Sequence, residues 1–242
     1  MGKHEEIADS LTQDILVGQY RIGERLPSER DLAARFDANR GAVREAMKKL
    51  EQLGIAKIQP GGARVAPLEQ ASLDVIGHLL AVGELPDRKL VDQILEVIDA
   101  LIRIAVESAL AKASDAAIEE LRTYVRPLFN ENLAYDAHME AQVALMGAIM
   151  TASDNLVCRL IARSVLLQFV PRMAPLREFS QIDTQAHATY ARQLDRALAN
   201  RDLDAVRAVF VAFAKLRHHS LMRAFAAYEV AHNGAAQAKA AP

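Results

Sequence analysis

The glycines and prolines of this 242-residue chain are crowded into one stretch. Between residues 18 and 67 stand Gly18, Gly23, Pro27, Gly41, Gly54, Pro60, Gly61, Gly62 and Pro67. From residue 84 onward the two types return only at Pro86, Pro127, Gly147, Pro171, Pro175, Gly234 and Pro242. Glycine supports turns that other residues resist, and proline withholds a backbone donor, so both punctuate secondary structure. The first stretch must fold as short elements joined by tight turns, and the rest as long helices. The plentiful alanine, leucine and arginine, with no Trp, suit a mostly helical chain. The change of texture divides the chain into residues 1–67, residues 68–230 and a terminal 231–242. The terminal segment reads AHNGAAQAKAAP; it carries no large apolar side chain and is expected to fray.

In the first segment, Ile7, Leu11, Ile15 and Leu16 recur at helical spacing, and Gly18 closes that helix. Pro27-Ser28-Glu29-Arg30-Asp31 is a helix start, with Ser28 as N-cap and acids at the positive end of the dipole. Leu32, Ala33 and Phe36 give this short helix its apolar face. Asp37-Ala38-Asn39 is a turn, with Asn39 the cap of a third helix. Val43, Met47 and Leu50 form that helix's buried face, and Gly54 ends it. Ile55–Gln59 is a short strand, Pro60-Gly61-Gly62 a tight turn and Ala63–Val65 the returning strand. Beyond residue 70 the expected helices are 70–82, 87–112, 115–130, 134–151, 154–172, 180–200 and 202–228. Asp87, Ser114, Asp154 and Asp202 are expected caps. The apolar face running from Leu90 to Val106 is wide enough for a central helix. The fold class is therefore mainly α: an N-terminal winged helix-turn-helix followed by an all-α region of long helices.

A helix-turn-helix places its second helix in the major groove, which demands cations near that helix's start. Arg40 and Arg44 lie four residues apart and share a face; Asn39, Lys48 and Lys49 flank them, and Arg30 opens the preceding helix. Between Arg30 and Arg64 there are eight basic and four acidic residues, in a chain whose net charge is -2. A uniformly basic coat is excluded, but a local basic patch is present. Phosphate neutralisation would supply much of the affinity and make it salt-dependent. The competing reading of such a patch is a solvated helix face.

These residues carry a resemblance. Leu26-Pro27-Ser28-Glu29-Arg30-Asp31-Leu32-Ala33, then Asn39-Arg40-Gly41-Ala42-Val43-Arg44-Glu45-Ala46, then Leu50-Glu51-Gln52-Leu53-Gly54-Ile55 and Pro60-Gly61-Gly62, resemble the GntR superfamily of bacterial transcription regulators over residues 5–67. The resemblance implies that Arg30, Arg40 and Arg44 contact bases or backbone in the major groove. It implies that Asn39 holds a phosphate and that Gly61, at the wing tip, meets the minor groove. Gly41 and Ala42 stand where relatives often carry hydroxyls, which removes polar contacts. The partners implied are duplex DNA bearing an inverted repeat, a second copy of the chain and a small-molecule effector, in a regulator that is more often a repressor.

The later helices resemble the FadR-like branch, through Ala152-Ser153-Asp154-Asn155 and the segment around Arg201-Asp202, and the resemblance implies an all-α antiparallel helical bundle that binds the effector. Many members of that branch hold a divalent metal through one Asp and three His beside a bound acid. Counted from Asn155 and Asp202, those four positions fall at Gln142, Met146, Ala191 and Phe213, and two further lining positions at Ile98 and Ile102. No metal ligand set remains, so no metal or cofactor is expected. An apolar lining with one amide suits an apolar or acyl-type effector. The alternatives are that these six residues merely fill a core, that a metal-dependent carboxylate sensor survives in a shifted arrangement, or that the second domain only joins two DNA-binding heads.

The other candidates are weaker. His187, His218 and His219 read as surface or interface histidines; adjacent residues on a helix point about 100° apart and rarely share an ion. Asp136 and Glu140 share a helical face and read as solvated. Cys158 reads as a small buried hydrophobe, with a thiol sensor as the lesser alternative. Met139, Met146 and Met150 read as core filler. One cysteine excludes an intramolecular disulfide framework. No nucleophile elbow, P-loop or dinucleotide turn is present, so an enzyme is not expected. The apolar runs are too short to span a bilayer and the start MGKHEEIADS is no signal peptide, so the expected location is the cytoplasm.

Overall fold

The computed structural model describes residues 2–239. The chain runs through α1 (Lys3–Leu16), α2 (Glu29–Arg35), α3 (Arg40–Gln52), β1 (Ala56–Gln59), β2 (Gly62–Val65), α4 (Val75–Leu79), α5 (Arg88–Lys112), α6 (Asp115–Val125), α7 (Tyr135–Ala152), α8 (Leu156–Arg172), α9 (Thr184–Ala199) and α10 (Leu203–Lys239). It divides into two compact units. One comprises the chain to Leu90 together with Ser164–Arg172; the other comprises Val91–Arg163 and the chain from Met173 on. The first unit thus extends beyond the boundary drawn after Pro67. Within it the Gln168 side chain accepts from the Gly77 amide at 2.7 Å.

In the first unit, α1 and α2 both pack against α3. Ile7, Leu11 and Ile15 meet Leu32 and the α3 residues Val43, Met47 and Leu50, with Leu26, Ile55 and Val65 closing the core. Ser28 and Asn39 cap as the sequence requires: Ser28 Oγ accepts from the Asp31 amide and Asn39 Oδ1 from that of Ala42. At the end of α3, Gly54 sits at φ +73°, the left-handed conformation of a helix terminator. A Cβ there would lie 2.4 Å from the Gln70 carbonyl oxygen, so this position needs glycine twice over. β1 and β2 form an antiparallel hairpin with Gln59 opposite Gly62. The preceding segment runs alongside β2: the Leu26 amide donates to the Ala63 carbonyl at 2.9 Å and the Val65 amide to that of Glu24 at 3.0 Å.

In the second unit, α6 packs on α7 and α9, and α9 packs on α10. Ile118, Leu121, Leu145, Ile149, Leu194 and Val206 are among its buried side chains. Arg201 turns the corner into α10 at φ +51°. Its guanidinium donates to the Leu110 carbonyl at 2.8 Å and the Ala113 carbonyl at 2.7 Å, satisfying the end of α5.

Several expectations shift. The helix expected over 70–82 is only Val75–Leu79, because Ser72–Asp74 turns and Gly77 and Gly83 weaken its continuation. The helix expected over 115–130 stops at Val125 and gives way to a 3-10 turn, Arg126–Phe129, where Pro127 has no amide proton to donate. Asp154 is not the cap of α8: it sits at φ +50°, and Asn155 Oδ1 accepts from the Cys158 amide. The helix expected from 180 begins at Thr184, capped by Asp183. The backbone of α10 continues through Lys239, where a frayed tail from Ala231 was expected; alanine-rich sequence is compatible with helix. Residues 240–242 lie outside the described residues.

Candidate nucleic-acid interface and bundle interior

The eight cations counted between Arg30 and Arg64 have different tasks. Arg35 donates to Asp14 Oδ2 at 2.8 Å, where Asp14 is buried on α1; it ties α2 to α1. Lys49 reaches Glu5 at 3.5 Å, and Lys48 pairs with Glu45 at 2.8 Å. Arg64 Nη1 donates to the Gly23 carbonyl at 2.9 Å and pins the wing. Arg30 is exposed beside its neighbour Asp31. Arg40 and Lys57 are exposed and have no hydrogen bond or ion pair among the described residues. Arg44 Nε donates to both carboxylate oxygens of Glu29, at 3.0 and 2.9 Å, and this partner raises the guanidinium pKa above its ordinary value.

The start of α3 is open. Asn39 spends its carbonyl oxygen on the Ala42 amide at 2.9 Å, which leaves its NH2 available to an acceptor. A Cβ at Gly41 would stand 3.1 Å from that capping oxygen. Glycine there gives the cap room. At the wing, nothing lies within 4 Å of where a Gly61 Cβ would be, and its φ of +99° suits glycine. Arg25, which lies outside the stretch counted from the sequence, lays its guanidinium over Gly62, where an added Cβ would meet Nε at 2.8 Å.

Neither of the two described cavities is lined by all six residues expected for an effector pocket. Ile98, Ile102 and Ala191 are buried, whereas Gln142, Met146 and Phe213 are half-buried. Ile102 opens onto a groove of about 1100 Å³ between α5 and α10, whose lining includes neither Ile98, Gln142, Met146, Ala191 nor Phe213. Gln142 and Phe213 instead converge on two histidines. The Gln142 amide nitrogen lies 2.9 Å from His138 Nε2 and 3.1 Å from His187 Nδ1. The two imidazoles meet edge to face at 4.7 Å, and Phe213 lies 5.4 Å from His187. His187 is 5% exposed, which corrects its reading as a surface or interface residue. The signal lay in the spacing: His187 shares a face with Ala191, Leu194 and Leu198, and His138 with Leu145 and Ile149.

Burial drives the His187 pKa down to about 4, helped by the neighbouring His138 and Arg217 and opposed by Asp183. Burial also lowers that of His138. Both rings are therefore neutral near pH 7. A Gln142 amide that donates to both rings puts the His138 proton on Nδ1, a buried atom with no hydrogen-bond partner among the described residues. The set does not fit the one Asp and three His implied by the resemblance: two imidazoles and an amide converge, without a carboxylate. Among the described residues no group of three or more His, Cys, Asp or Glu is placed to hold a metal. Cys158 is buried as expected, its Sγ donating to the Leu101 carbonyl at 3.4 Å, and burial raises its pKa, which disfavours thiolate chemistry. His218 and His219 are exposed, and His218 faces Asp92 at 3.3 Å.

A three-helix core with a capped, cation-bearing helix and a glycine-tipped hairpin defines a winged helix-turn-helix DNA-binding protein. Comparison narrows the class. Residues 3–65 match the model of bacterial regulatory proteins of the gntR family, and this segment is a GntR-family DNA-binding domain. The HTH-type transcriptional regulator Mce2R of Mycobacterium tuberculosis is 27% identical over 90% of this chain and 91% of its own length. The HTH-type transcriptional repressor NanR of Citrobacter rodentium is 34% identical over 33% of this chain and 30% of its own. Among solved structures, Lar of Listeria monocytogenes shares the fold with a TM-score of 0.56, at 16% identity over 93% of this chain and 97% of that one. The chain is a DNA-binding transcriptional regulator with a GntR-family domain.

Proposed function

We infer that the protein is a ligand-responsive repressor that binds an inverted-repeat operator as a homodimer, acting in the cytoplasm, with its effector in the helical region of the FadR-like kind. The observation that carries the DNA-binding half is the exposed start of α3, where, among the described residues, Arg40 has no ion pair and neither Nη group of Arg44 has a protein partner. In this reading Arg40 and Arg44 enter the major groove, Arg30 and the Asn39 amide hold phosphates, Gly41 lets the backbone approach, and Gly61 faces the minor groove. Replacing Arg40 or Arg44 by Ala abolishes specific binding and leaves the fold intact. A gel-shift titration at fixed salt, with both variants retaining wild-type affinity, overturns the assignment.

For dimerisation the support is the part of α8 that belongs to the second unit. Leu156 and Leu160 lie one turn apart there and are both more than half exposed. Large apolar side chains gathered on one stripe favour burial against a partner, and a two-fold operator calls for a two-fold protein. For the effector, the support is the unsatisfied Nδ1–H of His138 beside Gln142, His187 and Phe213. A neutral donor in apolar surroundings suits an ester, amide or carbonyl oxygen on a largely apolar body better than a free carboxylate. This favours an acyl-type effector over the metal-dependent carboxylate sensor. The enclosing elements move as effector binding shifts the population of DNA-competent dimers.

A further inference from the structure

We propose that Glu29 is a specificity-determining positioning residue, which holds Arg44 so that its Nη edge reads one base rather than a phosphate. The proposal rests on the reading of Arg44 as a DNA contact. Glu29 is the first residue of α2, and Arg44 lies on the outer face of α3, fifteen positions later in the chain. The carboxylate straddles Nε, with distances of 3.0 and 2.9 Å to its two oxygens. Neither Nη group has a protein partner among the described residues. Guanine presents O6 and N7 as paired acceptors in the major groove, and a guanidinium meets them with two parallel N–H bonds. The Nε side faces Glu29 and the Nη pair is left for the base.

A carboxylate at a DNA-facing surface has an electrostatic cost, because it repels the nearest phosphates. An acid at a helix start is locally favourable, but Asp31 already occupies that turn and receives the Ser28 hydroxyl at 2.6 Å. Glu29 instead turns across to α3. An untethered arginine samples many rotamers and meets phosphates on either side, which adds affinity without sequence information. A tethered one gives up part of that general affinity and gains selectivity. The two roles of Glu29, repulsive charge and tether, predict opposite signs on removal.

The test uses the full-length protein and a duplex selected by wild-type protein from a randomised pool. Affinities are read by fluorescence anisotropy at fixed salt for the selected duplex, a scrambled duplex, and duplexes changed one base pair at a time. Glu29→Gln keeps the shape and removes the charge. The expected result is about tenfold weaker binding to the selected duplex with unchanged or tighter binding to the scrambled one. The base-pair change that costs wild type about tenfold costs E29Q less than about threefold, and Arg44→Ala is insensitive at the same base pair. If E29Q tightens both duplexes equally and keeps wild-type discrimination, while R44A loses the selected duplex, Glu29 is only a repulsive charge and the proposal falls. If R44A leaves every affinity unchanged, or the pool yields no preferred duplex, the reading of Arg44 itself falls.

Discussion

A neutral imidazole in a dry interior is a pH-dependent element of stability. The unfolded His187 titrates near its ordinary 6.5 and the folded one near 4. Between those values the unfolded chain binds the extra proton, so stability rises with pH across the window. The contribution is complete above about pH 6.5 and is lost as pH falls toward 4; the full difference is on the order of 3 kcal/mol. His138 shifts in the same direction and adds to the loss. Melting temperatures measured from pH 7.5 to 4.5 therefore fall more steeply for wild type than for His187→Gln. Parallel curves for the two proteins refute this account of the buried pair. At this scale the sequence shows which cations exist but not how they are engaged. Arg35 and Arg44 look alike in the chain, yet one is committed to the buried carboxylate of Asp14 and the other to the more exposed Glu29. Pairings of that kind span fifteen residues or more, beyond the reach of local pattern.

Single backbone positions decide where elements end. Gly54 stops α3 and starts the strand into the wing, and Gln70 passes directly over it. Gly54→Ala pays for a left-handed residue and for a Cβ facing a carbonyl oxygen, so it lowers stability by about 2 kcal/mol or more. Urea unfolding measures this; a loss below about 0.5 kcal/mol shows that the Gln70 segment gives way freely. The same element shows what sequence makes legible. Ser28, Asn39 and Gly54 were readable because caps and terminators act through their own backbone within three residues. The helix limits at Val125 and Val75 were less readable, because a proline or glycine tolerated inside a helical pattern breaks it only when neighbouring packing does not compensate. The residues expected to line an effector pocket were least readable: Gln142 and Phe213 meet through His187 on a third helix, and only the fold brings α7, α9 and α10 together.

At the scale of the whole molecule, the exposed stripe on α8 sets the expected assembly. Leu160→Asp places a charge in the surface proposed for dimerisation, and a buried unpaired charge is strongly unfavourable. Light scattering coupled to size exclusion is expected to show dimers for the wild type and monomers for this variant, with helix content unchanged by circular dichroism. A wild-type monomer at tens of micromolar removes the dimer from the model of action. No helix among the described residues is long and apolar enough to cross a membrane.

The uneven pairing of the basic residues has a thermodynamic corollary. A guanidinium or ammonium already matched to a carboxylate at rest displaces fewer condensed sodium ions when it nears the duplex, since its own acid must first be set free or screened. Arg35, Lys48 and Lys49 therefore contribute little to the logarithmic dependence of binding on ionic strength. The measured slope per domain should track Arg40 and Lys57, which have no ion pair among the described residues, and fall well short of a tally of all eight cations.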